Sequence, residues 1–291
     1  MNKSIFRFYS NRDFDLDSLA NSYLWFSKVE DFNDPFEGMY EERIAFPDVR
    51  NLSIDDAIDF YEKIGNLNTS VKSENNLPSD DSINHMLKTS KGRYELRRIV
   101  CEAIRESTLE QFNIAKYTLY HCCFVYNKDE SFALKNKLMW SHYGAGLRGF
   151  AVEYLTDMNE GDILSKGKPV TVHGQEISYE KYAAKMIIKI MYDYMSGVDK
   201  VGIGKIINTK SPEWEYENEI RLSCEAQVVN YNKNIISSIT IGEKMSMIKR
   251  NTLLAIINSL NLDISQLVKF ACIDKKTLDI EIINFDDFMK V

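Results

Sequence analysis

The sequence predicts an α+β domain. Short apolar or alternating runs that read as strands are scattered among segments with helical spacing, without the regular strand–helix alternation of a doubly wound sheet. Hydrophobic residues make up 44% of the 291 and charged residues 27%, enough to bury a sizeable core. Only 13 Gly and 5 Pro are present and no internal repeat is visible, so residues 1–291 read as a single domain.

Ile5–Tyr9 alternates and is β-prone, Asp13–Asn21 reads as a short helix or turn, and Tyr23–Ser27 as a second aromatic strand. Phe32–Phe36 holds Asn-Asp-Pro at its centre, the mark of a tight, ordered loop. From about 53 to 115 the spacing turns helical and predicts a helical insertion. Ser53 is its N-cap, the polar stretch Thr69–Ser82 interrupts it, and Arg93–Phe112 carries Leu96, Ile99, Val100, Ala103 and Ile104 at turn spacing.

Tyr117–Tyr126 is a continuous aromatic and apolar run that predicts a buried strand. Leu138–Tyr143 reads as a helix or turn, Gly149–Tyr154 and Val170–Ile177 as strands, and Tyr179–Ser196 as a helix. Val201–Ile207 contains Gly202 and Gly204, a weak phosphate signal without a third glycine. Glu217–Cys224 alternates as a strand and Ile239–Ile241 forms another. A helix over Met247–Leu260 and a strand pair, Lys269–Ile273 and Leu278–Phe285, make up a C-terminal part of about 245–291.

The net charge of −7 makes the whole molecule a poor electrostatic partner for nucleic acid or anionic membrane, although a local basic groove is compatible with it. The five cysteines lack CxxC spacing, and Cys122 and Cys123 sit in an apolar run. They read as core residues of a reducing compartment, and no metal site is expected. The N-terminus has no apolar leader and no stretch reaches about 18 apolar residues, so a cytoplasmic protein without a membrane span is expected.

Four constellations carry chemistry. In Trp214–Arg221 (WEYENEIR), period two on a strand would put Glu217, Glu219 and Arg221 on one face, where paired carboxylates need a cation or a donor-rich ligand between them. The same pattern also reads as the solvated face of an edge strand. Arg7, beside Tyr9 on an aromatic strand, would fork onto a phosphate or carboxylate, or else snorkel to water. Trp25 and Ser27, leading to Asn33 and Asp34, would stack a planar ring and bond an amide, or form a buried strand and a self-capped turn. His142 and Tyr143 in Met139–Gly144 (MWSHYG) offer a base or ligand binder, or a structural histidine. A Ser141–His142 nucleophile pair oriented by Glu153 is a further reading.

In order, FRFYS, LWFS with FNDPFE four residues on, CCF, MWSHYG with GFAVEY four residues on, and EWEYENEIRL resemble the bacterial family known as domain of unknown function 2971, over about Ile5 to Ile241. Where the family strand carries a serine after Cys-Phe, this chain has Val125. The order of elements is in turn similar to that of ADP-ribosyltransferases, which implies a mixed β core of split sheets with inserted helices. It also implies NAD as substrate, without a metal. On that analogy Arg7 holds the diphosphate or adenosine ribose, Glu219 is the catalytic carboxylate and Glu217 its partner. Tyr9, Trp25, Ser27, Asn33, Asp34, His142, Tyr143 and Arg221 line the NAD site.

The resemblance implies an NAD-dependent mono-ADP-ribosyltransferase of the toxin or phage-defence kind. It would modify RNA, DNA or protein, and an antitoxin or chaperone would be a further partner. The alternative is a non-catalytic module of the same family that binds a nucleotide or a partner.

Overall fold

In a computed structural model that describes residues 4–38, 48–67, 78–127, 132–155, 163–165, 168–180 and 207–290, the apolar run around Cys122 becomes an inner strand of an eight-stranded sheet. The described strands are β1 (Ser4–Tyr9), β2 (Tyr23–Trp25), β3 (Tyr120–Tyr126), β4 (Phe150–Leu155), β5 (Ile163–Ser165), β6 (Lys168–Pro169), β7 (His173–Glu176), β8 (Ser178–Tyr179), β9 (Thr209–Lys210), β10 (Glu219–Cys224), β11 (Val228–Tyr231), β12 (Ile236–Gly242), β13 (Val268–Ile273) and β14 (Ile280–Asn284). The described helices are α1 (Asp13–Ala20), α2 (Ile54–Leu67), α3 (Asp80–Met86), α4 (Ser90–Tyr117), α5 (Phe132–Lys135), α6 (Lys137–His142), α7 (Met247–Ser259), α8 (Ile264–Leu267) and α9 (Phe285–Phe288). The mixed α+β class read from the sequence is the class observed. No described helix is long and apolar enough to cross a membrane.

Where the sequence reads one domain, chain contacts divide it into two compact units. One comprises Met1–Lys28, Leu119–Ile177 and Glu213–Val291, the other Val29–Thr118 and Ser178–Pro212. The physical reason is that the helical insertion builds a core of its own. α2, α3 and α4 gather Ala57, Phe60, Ile83, Leu96, Val100 and Ile104, together with Ile207, into a buried cluster confined to the second unit. Ser53 caps α2 as expected, its Oγ accepting from the Asp56 N–H at 3.0 Å. β8 and β9 pair in parallel in the same unit.

The first unit is built on the sheet β14-β13-β12-β4-β1-β3-β10-β7. All its pairings are antiparallel except β12 with β13, where α7 and α8 supply the crossover that a parallel pair needs. A four-stranded sheet, β2-β11-β5-β6, belongs to the same unit. Antiparallel partners share a face of the sheet, and successive residues alternate between faces. One face carries Ile5, Tyr9, Cys122, Phe124, Phe150, Val152 and Ile239, and packs with Leu24, Val229, Leu253 and Ile257 from β2, β11 and α7. The other carries Phe6, Phe8, Val125 and Ala151 under Ala133, Leu134, Met139 and Trp140 of α5 and α6.

Several elements differ from expectation: Tyr117, expected on a strand, closes α4, α3 starts at Asp80 inside the expected polar break, and the strand expected over Val170–Ile177 is confined to His173–Glu176. The strand expected over Glu217–Cys224 starts at Glu219, because Pro212–Glu217 coils into a 3₁₀ turn and Asn218 takes a left-handed φ of 43°. Tyr179, expected to open a helix, lies on β8, and the rest of that stretch, like Gly202 and Gly204, is outside the described residues.

Close main-chain contacts fix the loop after α6. A Cβ on Gly149 would lie 2.0 Å from the Tyr9 carbonyl oxygen, and one on Gly242 would lie 2.2 Å from that of Leu147. The Gly242 N–H donates to the Gly149 carbonyl at 3.0 Å, and Ala145, Gly146 and Leu147 all have positive φ. Gly149→Ala is therefore expected to cost about 1–3 kcal/mol, since backbone must move to admit the methyl group. Urea unfolding measures this, and a loss below about 0.5 kcal/mol, the scale of an ordinary surface change, would show the approach is not tight.

Candidate functional site

The sequence-predicted residues of the first unit separate at Val125. Phe6 and Glu219 both stand opposite Val125, so Glu219 shares its face with Phe6, and Arg221, two residues on, shares it too. Arg7 follows Phe6 and projects from the other face with Ile5 and Tyr9. Arg7 and Glu219 are thus on opposite sides of one sheet and do not converge. The expected joint setting of an arginine and a catalytic carboxylate around one hollow is not formed.

On the face of Glu219, two distant motifs meet. Asn136 caps α6, its Oδ1 accepting from the N–H groups of Leu138 and Met139 at 2.9 and 3.3 Å. Its Nδ2 donates to the Tyr216 carbonyl at 2.8 Å, which ties the helix to the 3₁₀ turn. At the end of that helix the Tyr143 hydroxyl donates to Glu217 Oε1. The His142 Nδ1 and the Tyr216 hydroxyl are 2.8 Å apart, with the two rings edge-on at 5.8 Å. Trp214 lies 6.1 Å from Tyr216, centroid to centroid. Behind this aromatic rim Arg221 donates through Nε and Nη2 to Glu219 Oε1, at 2.9 and 2.7 Å.

The rim and the back differ in exposure. His142 is exposed and Tyr143 and Tyr216 are half-buried, whereas Glu217 and Glu219 are 4% exposed and Arg221 is fully enclosed. The solvated edge-strand reading of the acidic segment is corrected here. β10 is an inner strand between β3 and β7, so its alternating charges are turned into the protein and have to find each other. Glu217 is corrected as well: it sits on the 3₁₀ turn, not on the strand with Glu219, because Asn218 breaks the alternation. Further along the same face His121 Nδ1 lies 2.8 Å from Ser223 Oγ.

On the opposite face Arg7 reaches the Trp25 carbonyl at 3.4 and 3.5 Å and the Cys122 thiol. Burial pushes that thiol up to about 11, outweighing the adjacent guanidinium, so Cys122 is an inert thiol at neutral pH. Tyr9 is a core residue, stacked on Phe150 at 4.8 Å with its hydroxyl 2.9 Å from that of Tyr154. Trp25 ends β2, and Ser27 exchanges main-chain bonds of 2.8 Å with His121.

Asn33 and Asp34 belong to the second unit. Asp34 is buried and its Oδ1 accepts from the Phe36 N–H at 2.9 Å, so its side chain caps its own turn. Glu37, three residues on, forms a buried ion pair with Lys210 at 3.1 Å. The Ser–His–Glu reading does not assemble: Glu153 accepts from Ser238 at 2.6 Å, and the His142 Nδ1 faces Tyr216.

Sequence reasoning missed Tyr216, Asn136, Glu37 and Lys210. Tyr216 and Glu37 stand inside motifs already singled out, and Asn136 precedes an apolar helical run as an N-cap does. Lys210 has no local signal.

The Glu219–Arg221 pair generates a test. Arg221→Met should cost about 3–5 kcal/mol by leaving a buried carboxylate, and Glu219→Leu added to it should recover part of that loss. Urea unfolding of the singles and the double would measure the coupling, and additive losses would show that the pair does not interact. A second test concerns Cys122, which should react with an aromatic disulfide reagent at pH 7.5 only on unfolding; reaction in the native state would contradict its burial.

A family model described as a protein of unknown function, DUF2971, matches residues 139–222, which take in the end of α6, β4 through β9, the 3₁₀ turn and most of β10. No curated protein and no solved structure matches the chain. The similarity to that family therefore covers under a third of the 291 residues, and the whole Tyr143–Glu217 and Glu219–Arg221 arrangement lies within it.

Proposed function

We propose that this protein breaks the N-glycosidic bond of NAD and transfers ADP-ribose to a macromolecular acceptor, RNA, DNA or protein, using Glu217 as its working carboxylate. The observation that carries the reading is the meeting of Tyr143 with Glu217 across the Met139–Gly144 and Trp214–Arg221 motifs. Loss of nicotinamide leaves an oxocarbenium-like ribose, and a carboxylate fixed by a phenol and shielded from water stabilises that positive charge. The C1′–N bond breaks with its electron pair going to nicotinamide. An acceptor nucleophile then bonds to C1′ and gives its proton to Glu217.

Tyr216, Trp214 and His142 supply ring faces for a planar leaving group at the open end of the cluster. Glu219, held by Arg221, is backing and positions β10 under Glu217. Arg7 has no part in this site. The mixed sheet and the order of motifs are compatible with an ADP-ribosyltransferase-like split-sheet arrangement, which enters here as analogy.

The second reading, a module that binds a nucleotide without turning it over, has its own support. Tyr143 and Arg221 each already satisfy a carboxylate oxygen, as a binding scaffold would require.

Incubation with NAD labelled in the nicotinamide and in the adenosine separates the two. Transferase action predicts free nicotinamide and label on one acceptor class, with Glu217→Gln lowering the rate about 10²-fold or more and Tyr143→Phe about tenfold. NAD binding with no nicotinamide release would favour the module. Neither binding nor release, or release undiminished in Glu217→Gln, would overturn the proposal.

A further inference from the structure

The helical insertion carries a surface that the reading of Glu217 leaves unused. α4 sorts its charges by flank. At the helical repeat of about 3.6 residues per turn, Glu95, Glu102 and Glu106 fall on one flank and Arg93, Tyr94, Arg97 and Arg105 on the other. Arg98 stands between the two and is taken up by the acidic side, pairing with Glu95 at 2.7 Å and with Glu102 at 2.6 Å. The acidic flank is thus served from within the helix.

The arginine flank has no such balance. Among the described residues, no carboxylate lies within ion-pair distance of Arg50, Arg93 or Arg97. Arg97 Nη1 donates to the Leu52 carbonyl at 3.4 Å, and its Nε is buried without a hydrogen-bonding partner. That contact brings the turn before α2 against α4, and with it Arg50, two residues ahead of Leu52. The acid of that turn, Asp48, accepts from the Arg50 main-chain N–H at 2.8 Å and so caps its own turn. Arg50 and Arg93 are exposed, Arg97 is half-buried, and the Tyr94 ring between them is 49% exposed. Lys91 and Arg93 also occupy the first turn of α4, which holds no acidic residue although the helix dipole favours one there. Several cations around one open ring suit a chain of anions that also carries flat groups.

We propose that Arg50, Arg93, Arg97 and Tyr94 form a docking surface for single-stranded nucleic acid. Guanidinium forks bind phosphate oxygens, and the exposed phenol ring stacks a base, which only an unpaired strand can offer. The net charge of −7 repels phosphate over the rest of the molecule, which confines the attraction to this patch. The surface lies wholly within the second unit, and its binding is separate from the chemistry proposed at Glu217. The further step, that nucleic acid is the acceptor class of the transferase, rests on that earlier reading.

Fluorescence anisotropy of a dye-labelled RNA of about 12 nucleotides, titrated with the full chain without NAD, tests the surface. Binding should saturate and weaken with salt at a log–log slope of about −2, as about three phosphate contacts to a single strand require. Arg93→Gln and Arg97→Gln should each weaken it about fivefold and make the slope shallower by about 0.7, and Tyr94→Ala should weaken it about tenfold. A duplex of the same sequence and polyglutamate should compete about tenfold less well than unlabelled RNA. Glu217→Gln should leave RNA binding as it is, so failure of the surface and failure of the transferase reading are told apart. If Arg97→Gln impairs folding, Arg93→Gln and Tyr94→Ala, both at exposed positions, decide. No saturable binding, equal competition by the duplex or by polyglutamate, or binding unaltered in Arg93→Gln and Tyr94→Ala would overturn the proposal.

Discussion

Asn218 holds the register on which the placement of Glu219 and Arg221 in the sheet depends. Its main chain closes the 3₁₀ turn by donating to Glu215 at 3.1 Å, and its carbonyl accepts from the Tyr126 N–H at 2.9 Å. Its side-chain amide donates back to the Tyr126 carbonyl. With φ at 43°, the residue has to be one that tolerates a left-handed backbone, and asparagine does so at little cost. This clamp on the end of β3 sets Glu219 opposite Val125. A slip of one residue would turn Glu219 and Arg221 toward Cys122 and Phe124 and bring Ile220 and Leu222 to the other side, so register and chemistry are fixed together.

Arg221, fully buried, and Arg7, half-buried, show what that parity costs. Arg221 carries its own counter-ion two residues away on the same strand, so its desolvation is offset by a bidentate contact to one carboxylate oxygen. Such a pair adds little net stability over an apolar replacement, but either partner alone would be strongly unfavourable, and the pair therefore specifies the strand's orientation. Arg7 sits among neutral phenols, a thiol and ring faces, where cation–π contact offsets only part of the loss of water. The same residue type thus plays opposite parts on the two faces of one sheet: one closes a charge balance and the other leaves it open.

Much of the fold was legible because it rests on periodicity. The alternation in Ile5–Tyr9 became β1, the apolar run expected as a strand over Tyr117–Tyr126 became β3 from Tyr120 onward with Tyr117 closing α4, and the turn spacing of Leu96, Val100 and Ile104 became the buried stripe of α4. The site was legible in its residue types but not in its geometry. Glu217 misled because alternation extrapolates through Asn218, whereas a left-handed residue resets the phase. Arg7 and Glu219 could not be sorted into faces from sequence, since that requires the register of two separate pairings with β3. The division into two units was hidden for another reason: the insertion follows β2 without a Pro- or Gly-rich linker, and the second unit closes only when residues beyond 177 return to it. Lys210 is the plainest example, a lysine in a weakly patterned stretch that finds Glu37 through the fold alone.

The extent of the family match bears on which of these features can belong to a shared function. Residues 139–222 include Tyr143, Tyr216, Glu217, Glu219 and Arg221, and leave out β1, β2, β3 and β11. Only groups inside the matched stretch are shown to share that similarity. Tyr143 and Glu217 meet that condition, and their contact closes without help from Arg7 or from Asp34. The Arg7 cluster draws Tyr9, Cys122 and Tyr231 from outside the match, with Tyr154 alone inside it. The Arg7 side of the sheet and the carboxylate side thus differ in how far the family match covers them.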